Sequence, residues 1–580
     1  MQHEEPGSAA RRLLTLCAEL GARYLFTNLG SDHPAFIEAF AALQEEGAAK
    51  SKSTPTPMPQ IIVCPHEMTA LSAAHGFAMI TRQPQVVLVH VDVGTQNLGC
   101  SIHNAARGRV PAVIVAGLSP VTVSGERTGS RNEFIHYTQD TPRQHEIVAQ
   151  YMKWSYEVRA AEMVDGIVMR AVQLASSAPQ GPVYLTGARE VWEAPSLLGS
   201  EQREQRRYWP VVSGPGLPAQ DIALLCDALA TAQRPIVITS YLGRQAGAVQ
   251  ALAQLSERFA FGVCEVSPQY MNFPGTHAHH LSHSRNALVD QADLILMIDV
   301  DVPWIMSSVQ PSPTARLFHI DEDALKQGLG FWHFPCERSW QGDSARVLEQ
   351  LLEASSGRSI EGAAQRRSWL AQARSGLQHA ATPPAAGAIT PRELTEAVAE
   401  LINERSVVIF EEPSSTELIP AVLKLERPGT YFASGGSGLG WGINAAIGAR
   451  LARPDAEVIA LVGDGCYVFG VPGSAYWVAG TYDAPFLTII YNNGGWHSPK
   501  LSTSWVHPQG RASSSDSFWV TTGAGARLAD LAAATGGAEA YRVEDREQLR
   551  ETLRQALQCV RDGRSAVVDV SITKISAQVL

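Results

Sequence analysis

The stretch 457-EVIALVGDGCYVFGVPGSAYWVAGTYDAPFLTIIYNNGG-495 decides how this chain folds. An apolar run, 457-EVIALV-462, ends in Gly463-Asp464-Gly465, and a second, 486-FLTIIY-491, ends in Asn492-Asn493-Gly494-Gly495. Between them, residues 471–482 read as a helix. Apolar runs flanking a helix-sized segment predict a strand-helix-strand crossover in a parallel sheet. In such sheets ligands bind beyond the carboxyl ends of the strands. Asp464 and Asn493 are therefore expected side by side at one sheet edge. An Asp oxygen, an Asn oxygen and a nearby main-chain carbonyl suit a hard cation such as Mg²⁺, which commonly bridges to phosphate. Gly463 and Gly465 would let the backbone approach a phosphate, with the amides of Gly465 and Cys466 facing it at a helix start. Alone, either Gly-Asp-Gly or Asn-Asn would be an ordinary turn. On consecutive strand ends, with residues 466–491 between them, they form a constellation.

The same rhythm extends outward and divides the chain into three blocks. Residues 1–193 carry 23-RYLFT-27, 60-QIIVC-64, 86-VVLVHV-91, 110-VPAVIVAG-117 and 182-PVYLTG-187. A charged linker, 201-EQREQRRYWP-210, follows. Residues 211–353 carry 235-PIVITS-240, 294-LILMIDV-300 and 317-LFHID-321. A second linker is expected over 354–369 and 380–388, where Ala, Gly, Pro and Ser are frequent. Residues 390–580 add 407-VVIF-410 and 566-AVVDVSI-572 to the pair already quoted. The fold class is α/β: three doubly wound parallel-sheet domains of similar build.

Composition agrees with such a chain. At roughly 150 residues per domain, 580 residues suggest about three or four domains. Hydrophobic residues make up 45% and charged residues 18%, which excludes a disordered chain. The net charge is 46 − 57 = −11, which argues against general binding to nucleic acid or an anionic membrane. The eight cysteines form no CxxC pair, so zinc-ribbon and thioredoxin-like chemistry have no support. Dispersed thiols, no basic-apolar leader and no apolar run near the ~18 residues of a membrane span predict a cytoplasmic protein.

The Gly-Asp-Gly/Asn-Asn pair resembles the signature of thiamine-diphosphate (ThDP) enzymes. The three-block layout resembles their benzoylformate decarboxylase and acetolactate synthase branch over nearly the whole chain. The resemblance implies a first domain for the aminopyrimidine, a largely structural central domain and a third domain for the diphosphate. It implies Mg²⁺ held by Asp464, Asn493 and the carbonyl of Gly495. One coenzyme would span two subunits, so a homodimer is the minimum unit and a homotetramer the expected assembly. In 60-QIIVCPHEMTALSAAHGFAM-79, Glu67 matches the family's catalytic glutamate, with Pro65 where the family has Arg. A carboxyl bonded to pyrimidine N1′ favours the imino form, whose nitrogen removes the thiazolium C2 proton. The segment 438-GLGWGINAAIGA-449 resembles the loop that places Gly438 against the coenzyme and wedges Leu439 beneath it, bending it so that nitrogen and carbon meet. In 411-EEPSST-416, Ser414 and Ser415 are candidates for the diphosphate.

On the substrate side, 28-NLGSDHPAF-36 and 88-LVHVDVGTQN-97 resemble benzoylformate decarboxylase. Ser31 matches a serine that meets the substrate carboxylate, with Asp32 in place of Asn, and His90 matches a proton-transfer histidine before a turn. His497 is the other candidate for that role; 131-RNEFIHYTQD-140 occupies the place of a synthase Phe-Gln-Glu segment, which makes Gln139 a candidate site residue. The second histidine of that decarboxylase has no counterpart in 299-DVDVPWIMS-307. Trp441, Trp496 and His497 are read either as pocket wall or as core and lid. His277, His279, His280 and His283 could suggest a metal site, but loop histidines of this kind are mostly solvated, and that is the expectation. FAD is not expected, because the segments of FAD-dependent synthases are missing. The expected substrate is a 2-oxo acid or aldehyde, with decarboxylation, acyloin-forming carboligation or both. A non-decarboxylating ThDP lyase is the alternative, and an NAD-dependent dehydrogenase, from Gly440-Trp441-Gly442-Ile443-Asn444-Ala445, a distant one.

Overall fold

A computed structural model describes residues 7–49, 57–196, 209–284, 286–377, 388–522 and 525–574. Each block contains a six-stranded, all-parallel sheet. Strand order in the first sheet is Gln60–Val63, Tyr24–Thr27, Gln85–Val89, Ala112–Leu118, Pro182–Ala188, Trp154–Val158. Numbered along the chain, that order is 2-1-3-4-6-5. The third sheet repeats it: Tyr431–Ala433, Ser406–Glu411, Glu457–Gly463, Leu487–Asn492, Ser565–Ser571, Ala538–Val543. The central sheet is wound differently, as 3-2-1-4-5-6: His280–Ser282, Gly262–Glu265, Pro235–Thr239, Leu294–Ile298, Arg316–Asp321, Arg338–Gln341. The expectation of three domains of similar build therefore holds in full only for the outer two.

All the quoted apolar runs except 60-QIIVC-64 became inner strands, because helices cover both faces, with every position buried along Glu457–Gly463; Gln60–Val63 is instead an edge strand with two exposed positions. Strands without a signal lie mostly at sheet edges. Trp154–Val158 and Arg338–Gln341 are half exposed, and Tyr431–Ala433 and His280–Ser282 have only three residues each.

One core joins the first and third sheets. Tyr24, Phe77 and Ile114 pack in a single cluster with Trp441, Ile447, Tyr467 and Val567. The helices Glu67–Thr81 and Gly442–Ala452 cross at small residues: a Cβ on Gly76 would lie 2.1 Å from the Ala445 carbonyl oxygen, and one on Gly448 1.9 Å from that of Ala73. The two apolar clusters flanking the central sheet contain only central-block residues and the helix that follows them.

The second expected linker is partly wrong. Residues 380–387, and 201–208 of the first linker, lie outside the described residues. Ala363–Leu377, however, is a helix on the central sheet. Arg366, 1% exposed, donates to the carbonyls of Leu229 and Phe259 at 2.8 Å and to Ala230 at 2.6 Å. One guanidinium thus satisfies orphan carbonyls at two helix C-termini, which draws the segment inward. The histidine-rich segment is also corrected: His279, His280 and His283 are each 7% exposed, not solvated. All eight cysteines are unbonded. Among the described residues, no helix is long and apolar enough to cross a membrane.

Candidate active site

In the third sheet, strand order reverses between Ser406–Glu411 and Glu457–Gly463, and the carboxyl ends there open into a cavity of ≈ 820 Å³. Such a reversal is where open α/β sheets bind ligands. The wall includes Ser414, Gly438, Leu439, Gly463, Asp464, Gly465, Cys466, Asn493 and Gly495. Ser240, Asp301 and Val302, beyond the reversal point of the central sheet, close the other side.

Asp464 is 1% exposed and Asn493 5%. Asp464 Oδ1 accepts the Gly465 amide at 2.9 Å, and Oδ2 accepts that of Gly494 at 3.0 Å. Asn493 Oδ1 accepts the Gly495 amide at 3.1 Å. The loop is fixed from behind, since Trp496 N donates to Val520 O and Thr522 N to Gly494 O. Gly495 has φ +151°, and a Cβ there would stand 1.9 Å from Val520 O, so the site demands glycine. Among the described residues no lysine, arginine or histidine forms an ion pair with Asp464. Burial pushes its pKa up to about 6, against the pull of the Gly465, Gly494 and Gly495 amides and of the Lys574 charge. A buried, unpaired carboxylate beside an amide oxygen is a hard-oxygen donor set that fits Mg²⁺.

Some expected roles change. The Gly465 amide is taken by Asp464 Oδ1, although Gly465 itself lines the cavity. The small size of Gly465 makes room for Trp496, whose Nε1 would lie 2.4 Å from a Cβ, whereas Gly463 has ordinary space. Ser414 lines the cavity, but buried Ser415 does not; its side chain bonds Glu412, a carboxyl that burial pushes up to about 7. Trp496 and His497 line the cavity, while Trp441 is 0% exposed and packs edge-on against His75.

Two residues that sequence reasoning missed hold the 438–442 loop. Glu411 Oε1 accepts the amides of Gly440 and Trp441 at 2.8 and 3.0 Å, and Oε2 that of Gly442 at 2.7 Å. Those amides are no longer free for a dinucleotide pyrophosphate, which removes the basis of the dehydrogenase reading. Asn104 donates to Gly438 O at 2.8 Å and accepts from Gly438 N at 2.9 Å. Leu439 is presented at the cavity wall from this clamped turn.

Glu67, His90 and Ser31 form a second group, at the first sheet, and none lines the cavity. Glu67 opens its helix and is 4% exposed. Asn28 Nδ2 donates to its Oε1 at 2.9 Å and Asn97 Nδ2 to its Oε2 at 2.8 Å. His90 and Ser31 lie where the first sheet's strand order reverses, between Tyr24–Thr27 and Gln85–Val89. His90 Nδ1 is 2.5 Å from Asp32 Oδ1, and Asp32 Oδ2 is 3.3 Å from His33 Nε2 and accepts the Val91 amide at 3.2 Å. Burial opposes charge on His90, but the Asp32 bond prevails and raises its pKa; Gln139 adds a further hydrogen bond. The turn expected after His90 is instead the helix Val91–Asn97. Ser31 Oγ is 3.3 Å from His136 Nε2, and Arg189 Nη1 lies 3.2 Å from that same nitrogen. Burial and Arg189 lower the pKa of His136.

Family models match the three blocks in order. The N-terminal thiamine pyrophosphate (TPP) binding domain covers residues 8–147, the central domain 222–351 and the C-terminal TPP binding domain 415–570. The chain belongs to the thiamine pyrophosphate enzyme family. Within it, the chain is 28% identical over 444 residues to benzoylformate decarboxylase of Pseudomonas aeruginosa, covering 74% of this chain and 78% of that one. It is 24% identical over 526 residues to the acetolactate synthase isozyme 3 large subunit of Escherichia coli, covering 87% of each. The fold matches a ThDP-dependent 4-hydroxybenzoylformate decarboxylase of Rhodococcus jostii with TM-score 0.78 and 21% identity, covering 98% of this chain and 99% of that one. In this TPP enzyme, Glu67, His90 and Ser31 fall in the N-terminal match, and Asp464 and Asn493 in the C-terminal one. The Glu411 clamp lies just ahead of the latter.

Proposed function

We propose that the chain is a Mg²⁺- and ThDP-dependent enzyme acting on a 2-oxo acid, by decarboxylation, acyloin-forming carboligation or both. The observation that carries this reading is Asp464: a buried carboxylate at a strand-order reversal, with no ion-pair partner within salt-bridge distance among the described residues, beside Asn493 and facing a large cavity. That cavity lies within the ~300–1,000 Å³ typical of cofactor sites. Asp464, Asn493 and the Gly495 carbonyl would hold the ion. Ser414, Gly438, Gly463, Gly465 and Cys466 would surround the diphosphate, with Ser415 acting through Glu412. Leu439 would press beneath the rings. Bound ThDP supplies a nucleophilic carbon and an electron sink.

The remaining chemistry belongs to side chains. Glu67, oriented by Asn28 and Asn97, would hold the proton shared with the aminopyrimidine. Ser31, backed by His136, would bind the substrate carboxylate. Asp32 holds His90 at Nδ1, leaving Nε2 to give or take a proton, with His497 as the other donor on the cavity wall. Protonation would release an aldehyde; attack on a second carbonyl would give a hydroxyketone. The absence of histidine from 299–307 slows protonation and tilts the balance toward carboligation.

Residues 1–193, 211–353 and 390–580 would be the pyrimidine-binding, central and diphosphate-binding domains of a cytoplasmic enzyme. Glu67 stands outside its own chain's Asp464 cavity, which supports a site shared between subunits: a homodimer at minimum, with a homotetramer as the assembly. The test is a screen of 2-oxo acids, with and without an acceptor aldehyde, reading CO₂ and acyloin together. Asp464→Ala should lose ThDP during gel filtration in Mg²⁺; unchanged coenzyme content would overturn the reading.

A further inference from the structure

Glu265 ends the Gly262–Glu265 strand, and His280 begins the edge strand paired with it. The chain then returns His283 to the same spot. All three are nearly buried, Glu265 at 3% and each histidine at 7% exposure. His280 Nε2 lies 3.2 Å, and His283 Nε2 3.4 Å, from the same atom, Glu265 Oε1. The three atoms all fall within 4.8 Å of one another.

The 3.2 Å contact is itself a hydrogen bond, but both spacings are longer than the about 2.7–2.9 Å of an imidazolium–carboxylate pair. The observed spacings match the edge of a tetrahedron: ligands about 2.0–2.1 Å from a zinc-sized ion stand about 3.3 Å apart. The other oxygen, Glu265 Oε2, accepts the backbone amide and Nδ2 of Asn272, each at 2.9 Å. That pair of bonds orients the carboxylate and leaves Oε1 as a single ligand atom, as outer partners do at metal sites. A separate cavity of ≈ 20 Å³ touches Glu265, His283 and Tyr431. It has room for about one water, which needs roughly 10–15 Å³. The Tyr431 hydroxyl is buried and has no hydrogen-bond partner among the described residues. Among the described residues His283 Nδ1 has none either.

We propose that Glu265, His280 and His283 bind one divalent transition-metal ion of the zinc class, with a water beside Tyr431 as the fourth ligand. Two imidazoles and one carboxylate are donors that suit such an ion better than Mg²⁺. The site lies at the seam between the central and third sheets. There Ala433 N donates to Gln269 O and Gly275 N to Leu425 O, each at 2.9 Å. Tyr431 begins the strand that runs directly into the 433–439 wall of the coenzyme cavity. The ion is structural: it ties that strand to the central sheet and is independent of the Mg²⁺ at Asp464.

The test uses the full-length protein, stripped with a chelator, reloaded with ThDP and Mg²⁺, then titrated with Zn²⁺ or Co²⁺. Elemental analysis after gel filtration should find one zinc per chain. Co²⁺ should give the intense visible absorption of four-coordinate geometry. Glu265→Gln and His283→Gln should each lose the zinc and the cobalt spectrum, while Tyr431→Phe should keep the ion and shift the spectrum. A wild type that takes up no zinc, a weak six-coordinate cobalt spectrum, or full zinc retention by both ligand variants would overturn the proposal. If a ligand variant fails to fold, wild-type stoichiometry and cobalt spectrum decide alone.

Discussion

His90 is charged more readily than an ordinary histidine because Asp32 sits on its Nδ1, and the effect outweighs burial. If protonated His90 is the donor, activity falls as pH rises through its raised pKa. Asp32→Asn removes the counter-charge, so that alkaline limb should move toward acid by about one unit or more, as a pH profile of kcat would show. Glu67→Gln should keep ThDP bound but slow exchange of the coenzyme's C2 proton by roughly 100-fold or more, read by NMR. Asp464, Asn493 and Glu67 were legible because each sits at a strand end with an unusual neighbour. Asp32 was visible only as a departure from a family pattern; its partner became evident once two strands lay side by side. Glu411 gave no signal, since an acid after a strand is usually solvated.

At the scale of elements, two small-residue surfaces and one carboxylate set the coenzyme loop. Gly448→Ala would force a methyl to within 1.9 Å of the Ala73 carbonyl oxygen, so the crossing helices must separate. The cost should be about 3 kcal/mol, measured as a lower denaturation midpoint. Glu411→Gln keeps the shape but turns one of the two acceptor oxygens into an NH₂ donor that faces a backbone N–H. It should cost about 2 kcal/mol and weaken ThDP binding, read by calorimetric titration. Inner strands were legible as apolar runs because helices bury both of their faces. Edge strands such as Arg338–Gln341 were not, because half-exposed positions carry polar residues. The helix Ala363–Leu377 was mistaken for a linker because its polar composition conceals one buried arginine that caps two other helices.

For the whole molecule, a site shared between chains makes a quantitative prediction. Glu67→Gln and Asp464→Ala subunits are each inactive alone, but mixed and reassembled at equal amounts they should recover about a quarter of wild-type activity. Half the dimers would be hybrids, each with one intact site. Recovery of none would place Glu67 and Asp464 in the same-chain site. The three-block layout was legible because strand runs recur; the shared winding of the outer sheets was not, since strand order depends on which crossovers pack. The fused interior of those outer sheets carries a further consequence. Deleting either outer block would strip the other of half its oil-filled joint, leaving Trp441 or Phe77 wet, so neither is a portable module. The middle block, which keeps both greasy layers around its own sheet and lends the outer interiors only Tyr241, Val249, Tyr270 and Met271, is the piece that heat should melt as a separate step, and the piece that could be exchanged between relatives.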